Sequence, residues 1–169
     1  MATVRSFDPI AAPDAVILIL GSMPGRLSLA RQQYYAHPQN LFWRIMGELF
    51  GAAPQLPYAE RVQKLRQNRV AVWDVLRQCY RETSMDSDIL PDSMRVNDFP
   101  GFFSQHPQLR QVFFNGATAE NAFRRLALPD LDMGERIELL RLPSTSPANA
   151  SITYADKLER WQIVRRAFS

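Results

Sequence analysis

Four short, near-continuous apolar runs constrain this chain more than any other feature. They are Val16 to Leu20, Val70 to Val75, Gln111 to Phe114 and Ile137 to Leu142. A strand with one wet face alternates apolar and polar residues, whereas a strand covered on both faces does not, and double coverage is the habit of parallel sheets. Helical spacing fills the intervals. Leu41 to Phe50 sets Phe42, Ile45, Met46, Leu49 and Phe50 on one face. Tyr58 to Gln67 opens after Pro57, Ala117 to Leu126 repeats Ala119, Ala122, Phe123 and Leu126, and Tyr154 to Phe168 repeats Tyr154, Leu158, Trp161 and Phe168. Strand and helix alternate throughout. This predicts an α/β fold: a three-layer α/β/α sandwich on a short, mostly parallel four-stranded central sheet, with right-handed crossovers. With 169 residues and no linker-like stretch, one domain over 1–169 is expected.

Composition closes off other chemistries. The single cysteine, Cys79, excludes a disulfide framework, a cysteine-based zinc site and a four-cysteine iron–sulfur cluster. Two histidines, His37 and His106, leave little for any other metal, so no cofactor is expected. The longest apolar run, Ala15 to Leu20, falls far short of the roughly 20 residues that cross a bilayer. Met1 to Ile10 lacks the basic-then-apolar layout of a signal peptide. A soluble, cytoplasmic monomer with no membrane contact is the expectation. The net charge is +3, carried by 18 arginines and only two lysines, Lys64 and Lys157. A planar guanidinium suits phosphate better than a point charge, so the balance is compatible with nucleic acid.

A parallel sheet places its ligand in the loops at the carboxyl ends of its strands. Those loops run over Gly21 to Asn40, Trp73 to Asp88, Asn115 and Gly116, and Pro143 to Ser151. The first holds Gly21-Ser22-Met23-Pro24-Gly25 and then Tyr34-Tyr35-Ala36-His37-Pro38-Gln39-Asn40-Leu41-Phe42-Trp43. About twenty residues of loop in a small domain points to function. Small residues and prolines allow sharp turns and close approach to a ligand. The tyrosine pair either stacks on a ligand or forms a lid over the core. Asn40 reads as a helix cap, as a catalytic amide, or as both. His37 can donate to a ligand or pin the loop to its own backbone. The last loop, Pro143-Ser144-Thr145-Ser146-Pro147-Ala148-Asn149, offers hydroxyls and backbone N–H groups on a stiff ribbon suited to phosphates. Asn115 can read a base edge or cap a helix, and Asp74 is a structural carboxylate or a group that orients water.

Taken together, these motifs resemble the uracil-DNA glycosylase superfamily. The likeness rests on Gly21 to Gly25, on Ala36-His37-Pro38-Gln39-Asn40-Leu41-Phe42-Trp43 and on the Leu142-Pro143-Ser144 to Asn149 loop. Order and spacing resemble the mismatch-specific uracil/thymine glycosylases, with one departure. Met23 stands where those proteins carry a water-positioning Asn, and a thioether cannot orient water. The Gly-Ser-Met-Pro-Gly variant followed by Tyr-Tyr-Ala-His-Pro-x-Asn is similar to the hypoxanthine-DNA glycosylase branch. That resemblance implies a catalytic Asn displaced to Asn40 and excision of deaminated adenine from DNA in base-excision repair. It implies base contacts from Tyr35, Asn115, Gly21, Ser22, Met23 and His37. The DNA backbone would be gripped by Ser144, Thr145, Ser146, Pro147 and Asn149. No lysine lies in these loops, so a Schiff-base lyase step is not expected and the enzyme would be monofunctional. The alternatives are a glycosylase for uracil or thymine opposite guanine, and a damaged-DNA binder without catalysis. A zinc deaminase lacks its ligand motifs here, and a serine hydrolase built on Ser22 lacks a histidine after His106.

Overall fold

Period two along the buried strands decides the architecture. In the computed structural model, which describes residues 3–133 and 136–168, the chain runs through β1 (Thr3–Arg5), β2 (Ile17–Gly21), α1 (Arg26–Arg31), α2 (Phe42–Phe50), α3 (Tyr58–Gln67) and β3 (Val70–Asp74). It continues through β4 (Leu76–Tyr80), β5 (Arg95–Val96), α4 (Phe99–Gln105), β6 (Gln111–Asn115), α5 (Ala117–Ala122), β7 (Glu138–Leu142) and α6 (Tyr154–Arg166). Strands β2, β3, β6 and β7 form a sheet in the order β3-β2-β6-β7, with every pairing parallel. Leu18, Leu20, Ala71, Trp73, Val112 and Phe114 enter one hydrophobic cluster; their neighbours Ile17, Ile19, Val70, Val72 and Phe113 enter the other. Strands β2, β3 and β6 are therefore dry on both faces, as unbroken apolar strands require, while the edge strand β7 is partly exposed.

Helices α2, α3 and α6 cover the second cluster through Phe42, Ile45, Met46, Leu65, Trp161 and Val164. The first is covered by α4 through Phe99, Phe102 and Phe103 and by α5 through Ala119 and Ala122. It is also covered by a small antiparallel sheet ordered β1-β4-β5, which contributes Leu76 and Cys79. The α/β/α layering and the mostly parallel four-stranded sheet agree with the expectation: the four strands pair in parallel, and Ile10 adds one antiparallel bridge to Val72 at the β3 edge.

The structure also corrects the reading of several segments. Thr3–Arg5, Leu76–Tyr80 and Arg95–Val96 carry the extra sheet, which hydrophobic runs did not announce because β1 and β5 are short and β4, Leu-Arg-Gln-Cys-Tyr, is not an unbroken apolar run. The stretch Gly21 to Asn40, read as loop, contains α1. The helix expected over Ala117 to Leu126 stays α-helical only to Ala122 and continues as a π-helical segment, Phe123–Ala127. The wider turn lets Phe123 reach Phe99 and Phe114, with ring centroids 5.1 and 5.3 Å away.

Candidate active site

The carboxyl ends of the parallel strands open into one cleft of about 860 Å³. Its floor begins at Gly21, which pairs in register with Asp74 of the neighbouring strand. A Cβ on Gly21 would stand 2.6 Å from the Asp74 carboxylate oxygen Oδ1 and 2.7 Å from the Tyr35 hydroxyl. Glycine is required there because both polar groups occupy the space a side chain would fill. The Pro24 carbonyl beyond it accepts a 2.5 Å hydrogen bond from Arg81, a fully buried arginine whose Nε and Nη1 have no partner among the described residues.

Tyr34 and Tyr35 separate because of one backbone angle. Tyr35 has φ +52°, a left-handed conformation that a bulky residue adopts only when its surroundings compel it. The twist sends Tyr34 into the core, where its hydroxyl donates to the Asp8 carbonyl at 2.8 Å. It turns the Tyr35 ring onto Phe42, centroids 4.0 Å apart and nearly parallel. The Tyr35 ring is half-buried at the cleft, while its hydroxyl is enclosed without a partner among the described residues. Burial first, and then the charge of Asp74, push that hydroxyl's pKa far above the usual range.

Asn40 stands where the chain turns into α2. Its Oδ1 accepts the Phe42 N–H at 2.9 Å, so it fixes the start of the helix from one position before the cap, which Leu41 occupies. A carbonyl oxygen has two lone pairs, so this bond leaves the second one and the NH2 group available in the cleft. Three residues earlier, His37 Nδ1 accepts the Gln39 N–H at 3.1 Å. That bond pins the loop and places the ring proton on Nε2, which makes His37 a donor on its free side. Both readings of His37 are therefore compatible.

The last loop is tied down from three directions. Asn115 Oδ1 accepts the Thr145 N–H at 2.9 Å and its Nδ2 donates to Thr145 Oγ1 at 3.0 Å. Leu41 N–H donates to the Thr145 carbonyl at 3.1 Å, and the Trp161 indole donates to the Pro143 carbonyl at 2.9 Å. Thr145 is fully buried, which corrects its assignment to the DNA backbone: its side chain is a strut, and a buried hydroxyl bonded to Asn115 cannot reach a phosphate. Asn115 is likewise half committed. Gly116, at φ +96°, takes the helix-cap position, and one N–H and one lone pair of the Asn115 amide remain for a ligand. Ser144 and Ser146 accept the Ser146 and Ala148 N–H groups at 3.1 and 3.2 Å, and Asn149 donates to the Ser144 carbonyl at 3.2 Å. The two serine hydroxyl protons stay free to donate outward.

Comparison with known proteins agrees with this layout. The family model described as the uracil DNA glycosylase superfamily matches residues 9–165. The chain belongs to the uracil DNA glycosylase superfamily. It is 36% identical over 163 residues, covering 96% of this chain and 98% of the relative, to a protein of Methanosarcina acetivorans named hypoxanthine DNA glycosylase. A protein of the same name from Methanosarcina barkeri is 37% identical over 113 residues, 66% of this chain and 70% of that one. The solution structure of a Methanosarcina acetivorans protein described as a candidate uracil DNA glycosylase superposes with TM-score 0.80 at 32% identity, covering 99% of both chains.

Within this superfamily fold, all twelve residues expected from sequence line the one cleft: Gly21, Ser22, Met23, Tyr35, His37, Asn40, Asn115, Ser144, Thr145, Ser146, Pro147 and Asn149. Asp74, which the sequence leaves as a structural carboxylate or a group that orients water, lines the same cleft, and so do Met85 and Asp86, to which the sequence assigns no role. Ser22 Oγ donates to Asp86 Oδ1 at 2.8 Å and ties that segment to the first loop. The polar run Thr83-Ser84-Met85-Asp86-Ser87-Asp88 was the available signal, but nothing in it specifies which face it turns inward. Among the described residues, no group of three or more His, Cys, Asp or Glu is placed to hold a metal, and no helix is long and apolar enough to cross a membrane.

Proposed function

We propose that this chain is a monofunctional DNA glycosylase that flips a deaminated base out of the duplex and hydrolyses its N-glycosidic bond, with hypoxanthine of deoxyinosine as the principal substrate. The observation that carries the reading is convergence. Three stretches far apart in the chain, chosen for their chemistry, meet in one cleft of about 860 Å³, within the range of ligand sites. The name shared by the two Methanosarcina relatives supports the choice of base. One catalytic domain over 1–169 suits a family match that spans residues 9–165. A buried, unpaired Cys79 fits a reducing compartment, and we place the enzyme in the cytoplasm as a monomer.

The base must leave the stack before any side chain can reach its glycosidic bond. The Ser144 and Ser146 hydroxyls and the spare N–H of the Asn149 side-chain amide, on a loop stiffened by Pro147, hold the flanking phosphates while the base enters. Tyr35, backed by Phe42, offers it a stacking surface. Asn40 holds a water against the sugar carbon through its spare lone pair and its NH2 group. An amide is no base at neutral pH, so its contribution is position. The phosphates of the DNA stabilise the positive charge that develops on the sugar. Neither lysine lines the cleft, since Lys157 is buried on α6 and Lys64 lies on α3, so among the described residues no lysine amine is at hand to form a Schiff base.

The test is a set of end-labelled duplexes carrying inosine, uracil or thymine opposite each base, incubated with excess protein and then cleaved at abasic sites with alkali. Inosine strands are expected to be cut first, and only after alkali. Preferential cutting at uracil would reassign the substrate, and binding without abasic sites would remove the catalytic reading.

A further inference from the structure

We propose that Asp74 is the general acid of this site: in its neutral form it donates a hydrogen bond, and then its proton, to N7 of the departing purine. The inference rests on the glycosylase reading above and gives Asp74 a role other than the structural or water-orienting ones that the sequence suggests. Asp74 ends β3, is 3% exposed and lines the cleft floor. Its Oδ2 has no hydrogen-bond partner among the described residues. Its backbone is not free to adjust, because its carbonyl accepts the Asn97 amide at 2.8 Å and Gly21 lies in register beside it. A carboxyl group held rigidly, buried and unpaired costs stability, and such a group in a cleft is a candidate for function.

Position decides what it touches. A flipped nucleotide enters base first, because its phosphates remain with the duplex. The floor, where Asp74 Oδ1 and the Tyr35 hydroxyl both crowd Gly21, therefore meets the base; the exposed loop at the mouth meets the backbone. Protonation favours the same role. Burial, and then the Asp86 carboxylate, raise the Asp74 pKa to about 7, against the opposing charge of Arg81. The other titratable groups facing it are the Tyr35 and Tyr34 hydroxyls, both held neutral by burial. Arg81 donates to Pro24 and makes no ion pair with Asp74 among the described residues. A general acid works best with a pKa near the working pH.

In the step itself the C1′–N9 bond breaks and its electron pair passes into the purine. The Asp74 O–H proton moves to N7, so hypoxanthine departs neutral. Water adds to C1′ and releases a proton to solvent, from which the Asp74 carboxylate is reprotonated. The sum is one water consumed, one abasic sugar and one free base formed. Uracil has no nitrogen equivalent to N7, so the device favours purines.

The experiment is single-turnover cleavage of an inosine duplex from about pH 5 to about pH 9, with wild type and Asp74→Asn. The wild-type rate is expected to fall as pH rises through about 7. Asp74→Asn should be slower by roughly a hundredfold or more at low pH and should lose that fall. The variant should also melt higher than wild type at pH 8, because it lacks a buried charge, and the difference should shrink toward pH 4. A variant as fast as wild type, one that keeps the fall, one that melts lower at pH 8, or a wild-type rate that rises through neutrality each overturns the proposal. Wild type that leaves inosine uncut defeats the glycosylase reading instead.

Discussion

At the scale of the residue, one amide serves two ends. Asn40 launches α2 through the Phe42 N–H and leaves half its hydrogen-bonding capacity in the cleft. The two functions separate by substitution. Asn40→Ala should lower single-turnover cleavage at least a hundredfold and destabilise the protein by about 1 kcal/mol, the worth of one hydrogen bond. Asn40→Asp keeps the acceptor for Phe42 and should melt like wild type, so any loss of rate it shows is chemical. Parallel urea titrations and cleavage assays check both. If Asn40→Ala cuts at the wild-type rate, the water is held elsewhere. Tyr35 carries a similar lesson: its neighbour Tyr34 is core and it is not, and the positive φ that divides them cannot be read from two identical letters.

Elements explain why the last loop holds its shape without regular structure. Strand β6 ends in Asn115, whose amide grips Thr145 at both its N–H and its hydroxyl. The Thr145 carbonyl in turn receives Leu41 at the start of α2. One buried threonine thus couples the first loop, strand β6 and the last loop. Thr145→Val preserves shape but leaves an Asn115 N–H unpaired, at a cost of about 1–3 kcal/mol. DNA affinity should fall several-fold in a fluorescence anisotropy titration, while cleavage of the saturated complex changes less. An unchanged affinity would show that the loop does not need this strut to hold phosphates.

For the whole molecule, the charge balance gives a measurable expectation. Its 18 arginines and net +3 suit a polyanion, and counterion release makes such binding salt-dependent. The logarithm of affinity for an inosine duplex should fall linearly with the logarithm of salt, with a slope steeper than about −3 if some four phosphates are held. A slope near zero would mean that the base pocket alone supplies affinity. The antiparallel sheet β1-β4-β5 has a role at this scale too. Packed on the first cluster, it sends the chain from β4 through Arg81 into the wall that carries Met85 and Asp86, so an accessory sheet completes the site.

Sequence alone determined the layers, the parallel sheet and twelve of the residues that line the cleft. Burial on both faces forces strands to be apolar throughout, and a parallel sheet forces its ligand to the strand ends; both constraints act on contiguous residues and leave their mark in the order of the chain. Tertiary structure decided the rest. Only packing shows that Thr145 is a strut, that Asn115 has spent half its amide on it, and that Asp74 lies unpaired beneath the cleft. Those properties depend on which distant groups arrive beside a polar side chain, and partners 30 to 64 positions away, as in Asn115–Thr145 and Ser22–Asp86, leave no local trace in the residues themselves.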